Sequence, residues 1–283
     1  MERTDEILLR AKPVEGLNEN QYVREAIHLA VLELVGRDRE LLEALTFQGG
    51  TALRLCYGLC RLSEDLGFVA GKGFSRAGER LADIVKMELP EMEIKEKQTD
   101  YLYILDLRYK GVRVKVEIAK VPAYTSSVKK VKSDLFEGLP STWVKVESLE
   151  EVLADKVVAM GLRAFSEERP FKARDIWDIH WLIERGIKTE PSIVLRKGKD
   201  YGKSAEDFIS GLRRRIDFMG REEAVKPFFD EMERFLYGKE LESFSVHPDI
   251  ARAVIEEVSN YLKDFLKAVK PNIHIKRIRR RGR

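Results

Sequence analysis

Apolar residues recur at near-helical spacing through Val23, Ala26, Ile27, Ala30, Val31 and Leu34, which predicts helix over residues 22–46 with an end signal at Gly36. The pattern then breaks into a short strand-like run, Thr46-Phe47-Gln48, leading to Gly49-Gly50-Thr51. A second helical pattern (Ala52, Leu53, Leu55, Cys56, Leu59) extends to Arg61, and residues 63–69 alternate like a strand. Residues 101–120 read as a hairpin turning at Gly111. In its second arm Val114, Val116 and Ile118 share one face, and Arg113, Lys115 and Glu117 the other.

After Pro140 the pattern becomes helical throughout. Ser148 followed by Glu151 has capping-box spacing and opens a helix carrying Leu149, Val152, Leu153, Lys156, Val157 and Met160. A second helix starts near Asp175 and ends at Gly186, and further amphipathic helices are expected over 204–218, 221–237 and 248–268. The organisation expected is a mixed α/β domain over 1–145 and a helical domain over 146–283 with a basic tail.

Charge and composition narrow the classes. No stretch approaches the ~18 apolar residues of a membrane span, and the charged N-terminus lacks an apolar leader segment, so the expected location is cytoplasmic with no membrane partner. The net charge of +3 hides a tail with six basic residues (Lys276, Arg277, Arg279, Arg280, Arg281, Arg283), without which 45 basic residues face 48 acidic ones. Attraction to nucleic acid must therefore come from local patches: the tail, Lys129-Lys130-Val131-Lys132, Arg196-Lys197-Gly198-Lys199 or Arg213-Arg214-Arg215. Cys56 and Cys60 cannot build a disulfide framework and are expected on one face of a helix as small apolar groups. Scarce amides beside abundant Lys, Glu and Arg resemble the balance of a thermophile's protein.

Strand, glycine pair and helix start in succession place backbone N–H groups at a positive helix end, a cradle for phosphate. Asp65 lies fourteen positions after Thr51, and Glu117 lies on the polar face of a later strand. Carboxylates so placed are the ligand type for Mg²⁺, which favours carboxylate oxygens together with substrate phosphates.

The run from Gly49 through Thr51-Ala52-Leu53 to Arg61-Leu62-Ser63-Glu64-Asp65-Leu66-Gly67-Phe68 resembles the pattern of the AbiEii/AbiGii toxin-type nucleotidyltransferases, GG[ST]AL followed by R-x-S-x-D-[LI]-D-F. Val114 to Ile118 resembles that family's third-carboxylate strand, Ser148 to Ala159 its lysine-bearing helix, and Arg174-Asp175-Ile176-Trp177-Asp178-Ile179 its R-D-x-x-D-[LI] motif. The resemblance implies a polymerase-β-like α/β (α+β) fold, a mixed sheet flanked by helices, followed by a helical C-terminal domain. It also implies Mg²⁺-dependent transfer from an NTP to RNA, in some members the tRNA 3′ end, by the toxin of a toxin–antitoxin or phage-defence system with a cognate antitoxin. Carried over, Gly49, Gly50 and Thr51 face the triphosphate, Asp65 and Glu117 hold Mg²⁺, Lys156 meets the phosphates, and Asp175 is the acid of the last motif.

One position departs from the pattern. The family's second metal carboxylate, two residues after Asp65, is Gly67 here, and alternation keeps Glu64 off that face. The alternative reading is accordingly a catalytically impaired relative that binds nucleotide or RNA. A Gly67→Asp exchange is expected to be sterically plausible unless this glycine has φ > 0, and to restore or raise transfer. A PD-(D/E)xK nuclease is disfavoured because Lys120 falls on the opposite face from Glu117, and a serine hydrolase because there is no nucleophile elbow. Trp177 and Trp181, one helical turn apart, are expected in a core seam.

Overall fold

A computed structural model describes residues 2–166, 170–247 and 249–281, with side chains described through Val269. The chain divides into two compact units, residues 1–148 with 236–240, and residues 149–235 with 241–283.

The first unit contains α1 (Arg3–Leu8), α2 (Glu19–Arg37), α3 (Arg39–Ala44), β1 (Thr46–Gln48), α4 (Gly49–Tyr57), β2 (Leu66–Val69), α5 (Phe74–Glu88), β3 (Glu93–Gln98), β4 (Leu102–Tyr109), β5 (Val112–Ala119), β6 (Ser126–Lys130) and β7 (Trp143–Glu147). The strands form one mixed sheet in the order β3-β4-β5-β2-β1-β7-β6. The β2–β5 and β1–β7 pairs are parallel and the other pairs antiparallel. Val114, Val116 and Ile118 are fully buried, and the rings of Phe47 and Phe68 meet at 5.2 Å across the β1–β2 pair.

Two expected helices end early, each for a local reason. The pattern over 22–46 is two helices, because Asp38 is extended between them and its carboxylate accepts the Leu41 N–H at 2.9 Å as the N-cap of α3. Helix α4 stops at Tyr57, because Gly58 takes φ +81, a conformation glycine adopts without strain. Cys60 thus lies outside the helix, so the shared helical face expected for Cys56 and Cys60 does not form. Burial pushes both thiols up, Cys56 to about 12 and Cys60 to about 11, so neither is a thiolate near neutrality.

The second unit holds α6 (Leu149–Leu162), α7 (Ala173–Glu184), α8 (Pro191–Asp200), α9 (Ala205–Met219), α10 (Val225–Met232), α11 (Gly238–Val246) from Leu241 onward, and α12 (Asp249–Arg281). Helices α6 and α9 approach through glycines: a Cβ on Gly211 would lie 1.9 Å from the Gly161 carbonyl oxygen. The helix expected over 221–237 is confined to α10, and α12 runs past the expected end at 268. Trp177 packs edge-on against Phe244 with ring centroids 5.7 Å apart. Among the described residues no helix is long and apolar enough to cross a membrane.

The basic stretches are not uniform solvated faces. Lys197 is 2% exposed and ion-paired to Glu151 and Asp155 at 2.8 Å each. Arg215 is equally buried and donates to the carbonyls of Arg163 and Ala164, just past the end of α6. Both are committed to the interior and withdrawn from any phosphate backbone. The side chains of the basic tail lie outside the described residues.

Candidate active site

The glycine pair joins β1 to α4, and its two members are glycine for different reasons. Gly49 has φ +83, which restricts the position to glycine in practice. Gly50 is held small by packing, since a Cβ there would come within 2.2 Å of Arg61 Nη2. Arg61, the first residue of the R-x-S-x-D run, is 2% exposed and donates to the Leu62 carbonyl at 2.8 Å. The first turn of α4 is therefore seated on a buried guanidinium, leaving its N-terminal N–H groups in the geometry that favours an anion.

Two helices fix the turn that carries Asp65. From α4, the buried Thr51 hydroxyl donates to the Asp65 carbonyl at 2.5 Å, with Ser63 Oγ 2.7 Å away. Thr51 thus supports the backbone beneath the carboxylate. From α2, His28 Nε2 lies 3.1 Å from the Glu64 carbonyl oxygen. Burial lowers the imidazole to about 3, with the charges of Arg24 and Arg54 adding to the fall and the Glu64 contact opposing it, so His28 is neutral and donates. The Asp65 carboxylate is exposed, and its Oδ1 accepts the backbone N–H of Lys115 at 3.1 Å, tying it to β5.

Neutral burial of His28 sets a pH dependence. An unfolded histidine titrates near ~6.5, well above the folded value of about 3. The unfolded chain therefore binds the extra proton as pH falls between those values. This group's contribution is complete above ~6.5 and is lost going down, by roughly 1.4 kcal/mol per pH unit. Thermal melts from pH 7 to pH 4 should fall less steeply for His28→Gln than for the parent chain. Parallel slopes would contradict the assignment.

Glu117 is half-buried on β5, directly across the β2–β5 pair from Gly67. The sheet thus brings Asp65, in the turn that leads into β2, beside β5, which carries Glu117, with the Gly49-Gly50 turn following β1 on the other side of β2. Among the described residues no group of three or more His, Cys, Asp or Glu could hold a metal ion. Two carboxylates suit a Mg²⁺ that arrives with a triphosphate better than a resident metal cage.

Lys156 and Asp175 belong to the second unit. Lys156 Nζ lies 2.8 Å from Asp175 Oδ1 and 2.6 Å from Asp178 Oδ2, and Arg163 also pairs with Asp175. Asp178 is wholly buried. Asp175 and Asp178 stand one turn apart on α7 and together orient the ammonium of Lys156 on α6. Sequence reasoning did not single out Asp178, although its place in R-D-x-x-D carried the i, i+3 signal.

The family described as nucleotidyl transferase AbiEii toxin, type IV toxin–antitoxin system, matches residues 34–268. No curated protein matches the chain. Among solved structures, MenT4, a nucleotidyltransferase toxin from Mycobacterium tuberculosis H37Rv, is similar in fold, with a TM-score of 0.57 and 16% identity over 88% of this chain and 93% of that one. JHP933 from Helicobacter pylori covers 94% of this chain and 100% of its own length, with a TM-score of 0.49 and 20% identity.

Proposed function

The chain belongs to the AbiEii family of nucleotidyltransferase toxins of type IV toxin–antitoxin systems, and from that premise we propose that it transfers a nucleotide from an NTP to the 3′ end of an RNA, in the first instance a tRNA. The observation that carries the reading is the grouping around β2. The phosphate-cradling turn follows the strand on one side of it, Glu117 lies on the strand at the other, and Asp65 sits at its head.

The N–H groups of the first turn of α4 would bind triphosphate oxygens, as helix N-termini bind anions. Asp65 and Glu117 would hold Mg²⁺, which when bound supplies charge neutralisation on the phosphates. The 3′-hydroxyl oxygen attacks the α-phosphorus in line, the new P–O bond forms as the bond to pyrophosphate breaks, and positioning supplies much of the rate. Lys156 and Asp175 enter through the motifs they carry: the ammonium would offset phosphate charge, and Asp175 holds it in place. Family membership implies a cognate antitoxin, and the reading places the reaction in the cytoplasm, where tRNA is available.

Incubating the purified protein with Mg²⁺, each α-labelled NTP and total tRNA tests this directly. The expected result is label on the RNA 3′ end, abolished by a chelator. Gly67 supports one other reading, a relative that binds nucleotide without transferring it. Saturable NTP binding with no labelled RNA of any class would favour that reading.

A further inference from the structure

The place left empty at position 67 is filled from the next strand. In the β1–β2 register Gln48 stands directly opposite Gly67, and in the β2–β5 register Gly67 stands directly opposite Glu117. Directly paired residues share a sheet face, so Gln48, Gly67 and Glu117 form one row across three strands. A Cβ on Gly67 would lie 2.9 Å from Gln48 Nε2 and 3.4 Å from its Cδ, so the carboxamide lies over the glycine. Gly67 is not among the glycines of positive φ, so the position tolerates a side chain provided that the Gln48 amide moves aside. An aspartate there must displace this amide and come 3.3 Å from the Gln48 carbonyl oxygen.

Gln48 is half-buried, yet its side chain makes no hydrogen bond to any described residue. Its surroundings are otherwise committed: Thr51 to the Asp65 backbone, Arg61 to Leu62, and Asp65 to the Lys115 N–H. A Gln side chain offers one acceptor oxygen and two N–H donors. Held against the carboxylate row, an unengaged amide can serve a cation through its oxygen or a phosphate through its N–H groups.

We propose that Gln48 is a residue of the nucleotide–metal site, its carboxamide standing across the strand in the position that Gly67 leaves without a ligand. This rests on the nucleotidyltransferase reading above. Exchanging a carboxylate for a neutral amide leaves two negative charges at the site, Glu117 in the row and Asp65 at the head of β2. The site then attracts a bare divalent cation weakly and repels a triphosphate less, so metal and nucleotide bind together.

The test uses Mn²⁺ as probe on the full chain, with bound metal read as loss of the free-ion EPR signal. It is run without nucleotide and with the α,β-non-hydrolysable analogue of each of the four NTPs. Gln48→Glu keeps shape and restores a third charge, and should tighten nucleotide-free Mn²⁺ binding by about tenfold or more. Gln48→Ala should weaken Mn²⁺ binding in the presence of analogue by a similar factor. Asp65→Asn is the control. If Asp65→Asn abolishes binding while both Gln48 variants stay within about twofold of the parent, against the 10–100-fold expected of a supporting residue, the Gln48 proposal is overturned. If Asp65→Asn itself changes nothing, the nucleotidyltransferase reading fails instead.

Discussion

Asp65→Asn is expected to lower nucleotidyl transfer by about 10²–10³-fold, the scale of losing one electrostatic stabiliser of developing charge, with little change in melting temperature. Asp65 is exposed, and among the described residues its carboxylate accepts one hydrogen bond, from the Lys115 N–H to Oδ1. An asparagine oxygen accepts that bond equally well, so the exchange removes the negative charge and leaves the turn intact. The Glu64 and Asp65 carbonyls remain held by His28 and Thr51. Single-turnover labelling of RNA under saturating NTP measures the effect, and undiminished transfer would remove Asp65 from the reaction. Lys156 is a poorer first choice. Truncating it removes an ion-pair partner from both Asp175 and Asp178, which are 4% and 0% exposed at their side chains, so activity and folding would fall together.

Arg54→Met should destabilise the first unit by about 3–5 kcal/mol, because it leaves a buried charge without its partner. The guanidinium is 5% exposed and meets Glu25 at 2.6 and 3.2 Å and Asp134 at 2.8 Å, and donates to the Tyr237 hydroxyl at 2.5 Å. Burial alone would lower its pKa, but the charge and hydrogen bonds of Glu25, with Tyr237 and Asp134, outweigh it and hold the group firmly protonated. Glu25 is 3% exposed, and Ser133 donates to it at 2.5 Å. Removing both charges is gentler than removing one. The Glu25→Met/Arg54→Met double variant should therefore recover much of the loss in urea melts. A double variant as unstable as Arg54→Met alone would contradict this account.

The centre of the sheet was legible because its apolar alternation is strict: Val112, Val114, Val116 and Ile118 are all buried on β5. Helix α5 was equally legible in principle, with Phe74, Ala77, Gly78, Leu81, Ala82 and Val85 at helical spacing on its buried face, but no motif drew the eye to it. The edge strands were not legible. β3 reads Glu-Ile-Lys-Glu-Lys-Gln and β6 Ser-Ser-Val-Lys-Lys, the charged composition by which edge strands avoid further pairing, and it erases the period-two signal. Asp65, Glu117, Lys156 and Asp175 stood out through motifs. Gln48, His28 and Arg61 act through partners 19, 36 and 11 positions away, distances that the sequence does not reveal.

Tyr237 completes the first unit from a distant part of the chain. Its segment, residues 236–240, belongs to the first unit although the residues on either side belong to the second. Its hydroxyl accepts from Arg54 and donates to Asp134, and its ring lies 5.0 Å from the guanidinium. A gene fragment ending after Ser148 would encode the whole sheet yet omit one face of its buried cation's cage. A contiguous fragment ending at Ser148 is therefore expected to be less stable than the first unit within the whole chain.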